Sequence, residues 1–250
     1  MEVVLSIAGS DPSGGAGIQQ DLKVITAHGC YGATVITALT SQNTLGVQDS
    51  MAVPQAVVAS QLHAVLSDLQ PAAIKIGMIP DQAVAEAIVE ALSEVRVPVV
   101  YDPVMISTSG YALMQPKAIS YIADNLFRLC TLVTPNLSEA ECLQEQLKSR
   151  CCAFLLKGGH ADDTMMTDRL LMPDGSEYEY TTEKIKSGNL HGTGCTLSSA
   201  IASNLALGYP LPEAVGRAKT FITEAIRRSV SISIGHGNGP LFLTYSDRGC

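Results

Sequence analysis

The chain has 250 residues, 46% of them hydrophobic, with no compositional break, which is enough to bury one substantial core, so a single domain over residues 1–250 is expected. A formal net charge of −8, from 16 Lys and Arg against 24 Asp and Glu, leaves no basic face for a phosphate backbone and excludes nucleic acid as an expected partner, though small anions can still bind locally. Met1 and Glu2 lead straight into an apolar run without a basic leader, and no stretch reaches about 18 uninterrupted apolar residues, so a soluble cytoplasmic protein with no membrane partner is expected. Seven cysteines lie scattered, at 30, 130, 142, 151, 152, 195 and 250, without a metal-type C-x-x-C pair, and read as free thiols of a reducing compartment.

In chain order, apolar runs of strand length alternate with segments of helical period, the pattern of βα units feeding a mostly parallel sheet with helices on both faces. Strands are expected at residues 3–8, 33–39, 73–76, 97–101, 129–133 and 153–156. The clearest helix is 54–69, where Val58, Leu62, Val65 and Leu69 recur at helical spacing behind Pro54. Residues 167–171 and 177–182 flank Pro173-Asp174-Gly175-Ser176, the signature of an antiparallel hairpin at the sheet edge. Two helices, 193–206 and 211–229, then close the pattern ahead of the glycine-rich segment 235–240.

Ligands of open α/β sheets gather at the carboxyl ends of the strands, and the loops that follow these strands are rich in chemistry. The first, Gly9-Ser10-Asp11-Pro12-Ser13-Gly14-Gly15-Ala16-Gly17, lets a backbone approach a ligand closely, yet has neither the Gly-Lys-Ser/Thr ending of a P-loop nor dinucleotide-fingerprint spacing. A tight strand-to-helix turn is the plainer reading of it. His191-Gly192-Thr193-Gly194-Cys195 opens a helix, so free N–H groups and the helix dipole converge on one spot suited to a phosphoryl group in transfer. In that first turn the dipole would favour the Cys195 thiolate, whereas Cys30, Cys130 and Cys142 are expected to be shielded. Asp102-Pro103-Val104, Thr134-Pro135-Asn136 with Ser138-Glu139, and Lys157-Gly158-Gly159-His160 supply carboxylates, amides and a cation of the kind that hold magnesium and nucleotide phosphates. Singly each has an ordinary explanation as a turn, a cap or a solvated charge; their common position after strands of one sheet is what points to a site.

The run Ile7-Ala8-Gly9-Ser10-Asp11-Pro12-Ser13-Gly14-Gly15-Ala16-Gly17-Ile18-Gln19 closely resembles the opening of the hydroxymethylpyrimidine/phosphomethylpyrimidine kinases of thiamin biosynthesis, within the ribokinase-like superfamily. Residues 35–39 with 41–44, Lys75-Ile76-Gly77-Met78, 136–139, 157–160, 191–196 and 235–237 match its pattern in order. The resemblance implies a ribokinase-like three-layer sandwich and ATP- and Mg2+-dependent phosphorylation of 4-amino-5-hydroxymethyl-2-methylpyrimidine, then of its monophosphate. It further implies that Gly9, Asp21, Gln42, Met78 and Val104 line the pyrimidine site. Gln42 would read the polar edge of the ring, a role for which a carboxamide offers a donor and an acceptor in one plane. Asp102, Asn136 and Glu139 would organise magnesium. Lys157, Thr134 and His191 would meet the nucleotide. Gly192, Thr193, Gly194 and Cys195 would form the anion hole beside the attacking hydroxymethyl group, with Cys195 nearest the reacting hydroxyl. A homodimer is expected.

The connection from Glu139 to the strand at Ala153 is shorter than the family pattern, and one short helix is expected over 141–150. Pyridoxal kinase activity is the alternative, disfavoured by Gln42, since members specialised toward pyridoxal tend to be apolar there. A non-catalytic pyrimidine sensor is a further alternative, against which Lys157, Asn136, Glu139 and the 192–195 loop all stand.

Overall fold

A computed structural model describes residues 1–107, 110–160 and 164–243, with the side chains of Gly159 and His160, and Cys250, outside the described set. Along the chain β1 (Val3–Ser10) leads into α1 (Gly17–Ala27), β2 (Tyr31–Asn43), β3 (Gly46–Ala52), α2 (Gln55–Leu66), β4 (Ala73–Ile76) and α3 (Gln82–Leu92). There follow β5 (Val99–Tyr101), α4 (Pro116–Asn125), β6 (Leu132–Val133), α5 (Leu137–Cys142), α6 (Gln144–Ser149), β7 (Ala153–His160), β8 (Met165–Leu171), β9 (Glu177–Glu183), α7 (Thr193–Ala206) and α8 (Leu211–Ser229). The described strands form one nine-stranded sheet in the order β3-β2-β1-β4-β5-β6-β7-β8-β9. From β2 to β7 every pairing is parallel, while β3 at one edge and β8 and β9 at the other pair antiparallel.

Strand alternation sorts the apolar side chains into two layers. Leu5 and Ile7 of β1, Ile74 and Ile76 of β4 and Val99 and Tyr101 of β5 pack with Val58 and Leu62 of α2, Ile88 of α3 and Ile122 of α4. Val4 and Val100 point to the other face, where Val24 and Ile25 of α1, Ile201 of α7 and Val215 and Ile222 of α8 cover them. Each fully buried aliphatic side chain contributes about 1.5–3 kcal/mol, so both helical layers are held by the same pleat. The result is the helix–sheet–helix sandwich with an edge hairpin expected from the βα alternation. Three local details differ from expectation. β2 continues to Asn43 and turns back as β3, a strand whose polar Gln48, Asp49 and Ser50 gave no apolar run. Residues 127–129 form a 3₁₀ turn, leaving β6 only two residues long. The 141–150 region holds the end of α5 and a separate α6, parted at Leu143, rather than one helix.

Candidate active site

A cavity of about 520 Å³ opens over the carboxyl ends of β1, β4, β5 and β7 and is closed by the first turn of α7. Its floor is two interlocked glycine loops. Gly17 (φ 57°) and Gly192 (φ 80°) take left-handed backbone; a Cβ at Gly17 would meet the Gly9 carbonyl and one at Gly192 the Gly15 carbonyl. With no side chain at Gly192, the loop before α7 lies directly on the loop after β1. Thr193, Gly194 and Cys195 begin α7 at this contact, and all three line the cavity.

Facing them is a charged group gathered from three strand ends. Asp102, after β5, accepts from Lys157 Nζ at 2.7 Å and from Thr134 Oγ1 at 3.0 Å, both through Oδ1. Burial alone would raise the Asp102 pKa, but the Lys157 and Lys75 ammoniums outweigh it and hold the carboxyl below its usual range. In turn Asp102 first, and then Glu139, keep Lys157 charged against its own burial. Asn136 caps α5: its side chain accepts from Glu139 N at 2.9 Å while Glu139 Oε2 accepts from Asn136 N at 2.8 Å. Burial pushes the Glu139 carboxyl up to about 7, with Lys157 opposing and Asp102 adding.

No cluster of three or more His, Cys, Asp or Glu able to hold a metal by itself occurs among the described residues. The donors present nonetheless suit a hard cation bound mainly through phosphate oxygens and water. Asp102 and Glu139 are both at the cavity wall, and Asp102 Oδ2 has no hydrogen bond among the described residues. Asn136 is already engaged as a cap.

At the other end, Asp11 accepts from His191 Nε2 at 2.8 Å, and the Gln42 amide nitrogen lies 3.3 Å from that same ring nitrogen. Gln42 is within β2, beside a register shift between Ser41 and Gln42 that re-aims the strand, rather than in a loop after it. His191 therefore groups with Asp11 and Gln42, not with Lys157, where the nucleotide role had been expected. Thr134 is fully buried and reaches the cavity only through Asp102. Gly9, Met78 and Val104 line the wall beside Gln42. Asp21 does not: it is fully buried beneath the floor, where Lys75 Nζ donates to both its oxygens at 2.9 and 2.7 Å.

Cys195 departs from the sequence expectation in charge. Enclosure of its sulfur raises the thiol to about 11, against the opposing pull of Lys75, so the resting side chain is a neutral thiol and the dipole does not prevail. Cys142 is exposed rather than shielded, as is Cys151, while Cys30, Cys130 and Cys152 are buried. A further wall went unread in the sequence: Met166, Ile185, Leu197, Ile222 and Ile226 form an apolar surface. Across it Asp168 pairs with Lys219 at 2.6 Å and accepts from Gly158 N at 2.8 Å. Its residues come from β8, α7, α8 and the segment after β9, at positions whose periodicity reads simply as core.

Residues 11–242 match the family model described as phosphomethylpyrimidine kinase. The hydroxymethylpyrimidine/phosphomethylpyrimidine kinase of Rhizobium meliloti is 42% identical over 255 residues, covering 96% of both chains. The crystal structure of phosphomethylpyrimidine kinase from Clostridium difficile 630 superposes with a TM-score of 0.77 at 40% identity, over 90% of this chain and 100% of that one. Staphylococcus aureus pyridoxal kinase in complex with ADP gives a TM-score of 0.87 at 30% identity, over 99% and 95%. With the family match running from Asp11 to Phe242, through the first glycine loop and the start of α7, the chain belongs to the phosphomethylpyrimidine kinase family of ribokinase-like enzymes.

Proposed function

We propose that the chain transfers the γ-phosphoryl group of ATP to the hydroxymethyl arm of an aminopyrimidine and then to the resulting monophosphate, in the cytoplasmic synthesis of thiamin. The observation that carries the reading is the α7 N-terminus, set between a carboxamide–imidazole end at Gln42 and His191 and a cationic end at Lys157. Gln42, with Gly9, Met78 and Val104, would hold the ring, and the apolar wall near Lys219 would take the nucleoside. Lys157 would meet the nucleotide phosphates. Magnesium, held by Asp102 and Glu139 through oxygen and water, would neutralise phosphate charge.

The acceptor oxygen forms its bond to the γ-phosphorus as the bond to the ADP oxygen breaks. The N–H groups of Gly192, Gly194 and Cys195 would face the charge of the moving group, that of Thr193 being donated to the Leu190 carbonyl at 3.3 Å. With burial raising the Cys195 thiol to about 11, no strong base faces the hydroxyl, which keeps its proton until its bond to phosphorus forms and then gives it to the transferred phosphoryl group or to solvent, as a loose transition state permits. Free thiols on all six described cysteines accord with a reducing cytoplasm. A homodimer is part of the proposal, supported by Leu39 and Met51 standing exposed at the β2–β3 edge.

Pyridoxal phosphorylation is the second reading, favoured by the likeness to Staphylococcus aureus pyridoxal kinase. One ATP-dependent assay with the free pyrimidine, its monophosphate and pyridoxal side by side separates the two. The highest kcat/KM is expected for the two pyrimidines, and a higher value for pyridoxal overturns the assignment. Light scattering of the eluting protein tests the dimer.

A further inference from the structure

Beneath the first turn of α7 lies a charged group that none of the roles above uses. Lys75 of β4 and Asp21 of α1 are both completely inaccessible to solvent. The Asp21 carboxylate is saturated: Oδ1 accepts from Lys75 and from Ser199 Oγ of α7 at 2.8 Å, and Oδ2 accepts from Lys75 and from Ser6 Oγ of β1 at 2.6 Å. Three elements are thus tied to one anion, and the anion pins the ammonium in place. Gly77 shapes the same spot, because a Cβ there would come within 2.7 Å of Lys75 Nζ. Replacing such a pair by apolar residues of similar volume is often neutral or stabilising, so packing alone gives no reason for a lysine here.

The reason lies above the pair. Lys75 reaches the wall of the cavity, at its floor with Gly17 and Cys195. Gly17, Lys75, Asp102, Lys157 and Cys195 line the same cavity, and the charges acting on the Cys195 sulfur are those of Lys75 from β4, Asp21 from α1, Asp102 from the end of β5 and Lys157 from β7. Of these cations Lys157 is taken up by Asp102 and stands at the nucleotide end, whereas Lys75 is the one built into the floor. We propose that Lys75, clamped by Asp21, is a positioning residue that supplies the positive charge acting on the Cys195 thiol and on the acceptor group brought beside it. Asp21 then serves to orient and partly offset that charge, and does not touch the substrate. The inference rests on the proposed reaction for its catalytic meaning, but the state of the thiol can be read without any substrate.

The test is the pH dependence of Cys195 alkylation by iodoacetamide, followed by mass spectrometry of the Cys195 peptide so that exposed Cys142 and Cys151 do not interfere. Lys75→Met is expected to raise the midpoint by about one unit, which is about tenfold slower modification at a fixed pH below it. Asp21→Asn, which leaves the ammonium less offset, is expected to lower it. A purely structural role would move both variants the same way, and that result overturns the proposal. If either single variant fails to fold, Lys75→Met with Asp21→Asn removes both charges together and decides. The midpoint should then rise above wild type because the cation is the larger influence on the sulfur. An unchanged midpoint in that folded double variant overturns the proposal equally.

Discussion

Asp11 shows how much one carboxylate can organise. Its Oδ1 accepts from Ser13 N at 2.9 Å and Ser13 Oγ at 2.7 Å, and its Oδ2 from Ala16 N and His191 Nε2, both at 2.8 Å. Burial opposes the charged form, yet the His191 and Ser13 bonds overcome it and lower the carboxyl from 3.8 to about 2. A folded-state pKa below the unfolded one means stabilisation that is complete above about pH 4 and is lost as pH falls toward 2. The charge-dependent part is about 2 kcal/mol. Urea unfolding of wild type and Asp11→Asn should differ by about that amount at pH 7 and 5, with the gap narrowing at pH 3. A gap that stays constant to pH 3 would show that shape, not charge, holds the loop. Gln42 makes a separate claim on specificity. If its amide pairs with the aminopyrimidine edge, Gln42→Met leaves buried polar atoms unpartnered, about 1–3 kcal/mol, or roughly tenfold to a hundredfold in kcat/KM. Pyridoxal should hold steady, and equal losses on both substrates would mean that Gln42 only shapes the pocket. At this scale the sequence disclosed residue types but not their partners. Asp21 and Thr134 look like site residues because they sit in the right motifs, and only packing shows that one serves Lys75 and the other Asp102. Likewise the sign of the Cys195 shift depends on enclosure by β4, α1 and β5 residues far away in the chain.

Elements were legible where their apolar period was long and were lost where it was short or polar. α7 and α8 fall at their expected bounds because 14 and 19 residues of pattern specify them. β3 was invisible because an edge strand needs no apolar run, although its pairing with β2 sets the bulge that aims Gln42. α5 was missed differently: one short helix was expected over 141–150, whereas Asn136 followed by Glu139 three residues on forms a capping box that starts α5 at Leu137. With only six residues, α5 depends on that cap more than a long helix would. Asn136→Ala should therefore lower stability by about 1 kcal/mol, and Asn136→Asp, which keeps an accepting oxygen, should lower it by far less. Equal stability of the two variants in urea would remove the cap as the reason for Asn136 and leave its placement beside Glu139 to ligand binding alone.

Over the whole molecule, the sheet divides the cavity between its two sides. Gln42 comes from β2 and Asp11 from the loop after β1, whereas Lys157 comes from β7 and the apolar wall from β8, α7, α8 and the segment after β9. The α7 N-terminus touches both groups: a Cβ at Gly192 would meet Gly15, and one at Gly194 would meet Asp102. This arrangement predicts that the two ligands stabilise the fold through separable contacts. A ligand at a hundredfold excess over its Kd adds about 2.7 kcal/mol, about 5 to 10 °C in Tm for a chain of this size. Magnesium-ADP and the free hydroxymethylpyrimidine should each give such a shift in wild type. Lys157→Met is expected to lower the ligand-free Tm, because it leaves Asp102 buried without its cation. Measured from that lower baseline, it should abolish the magnesium-ADP shift and keep the pyrimidine shift, while Gln42→Met should cut the pyrimidine shift to about half or less and keep the magnesium-ADP shift. Loss of both shifts in either single variant would mean that the cavity behaves as one cooperative unit, and the division of the site between the two sides of the sheet would then be wrong.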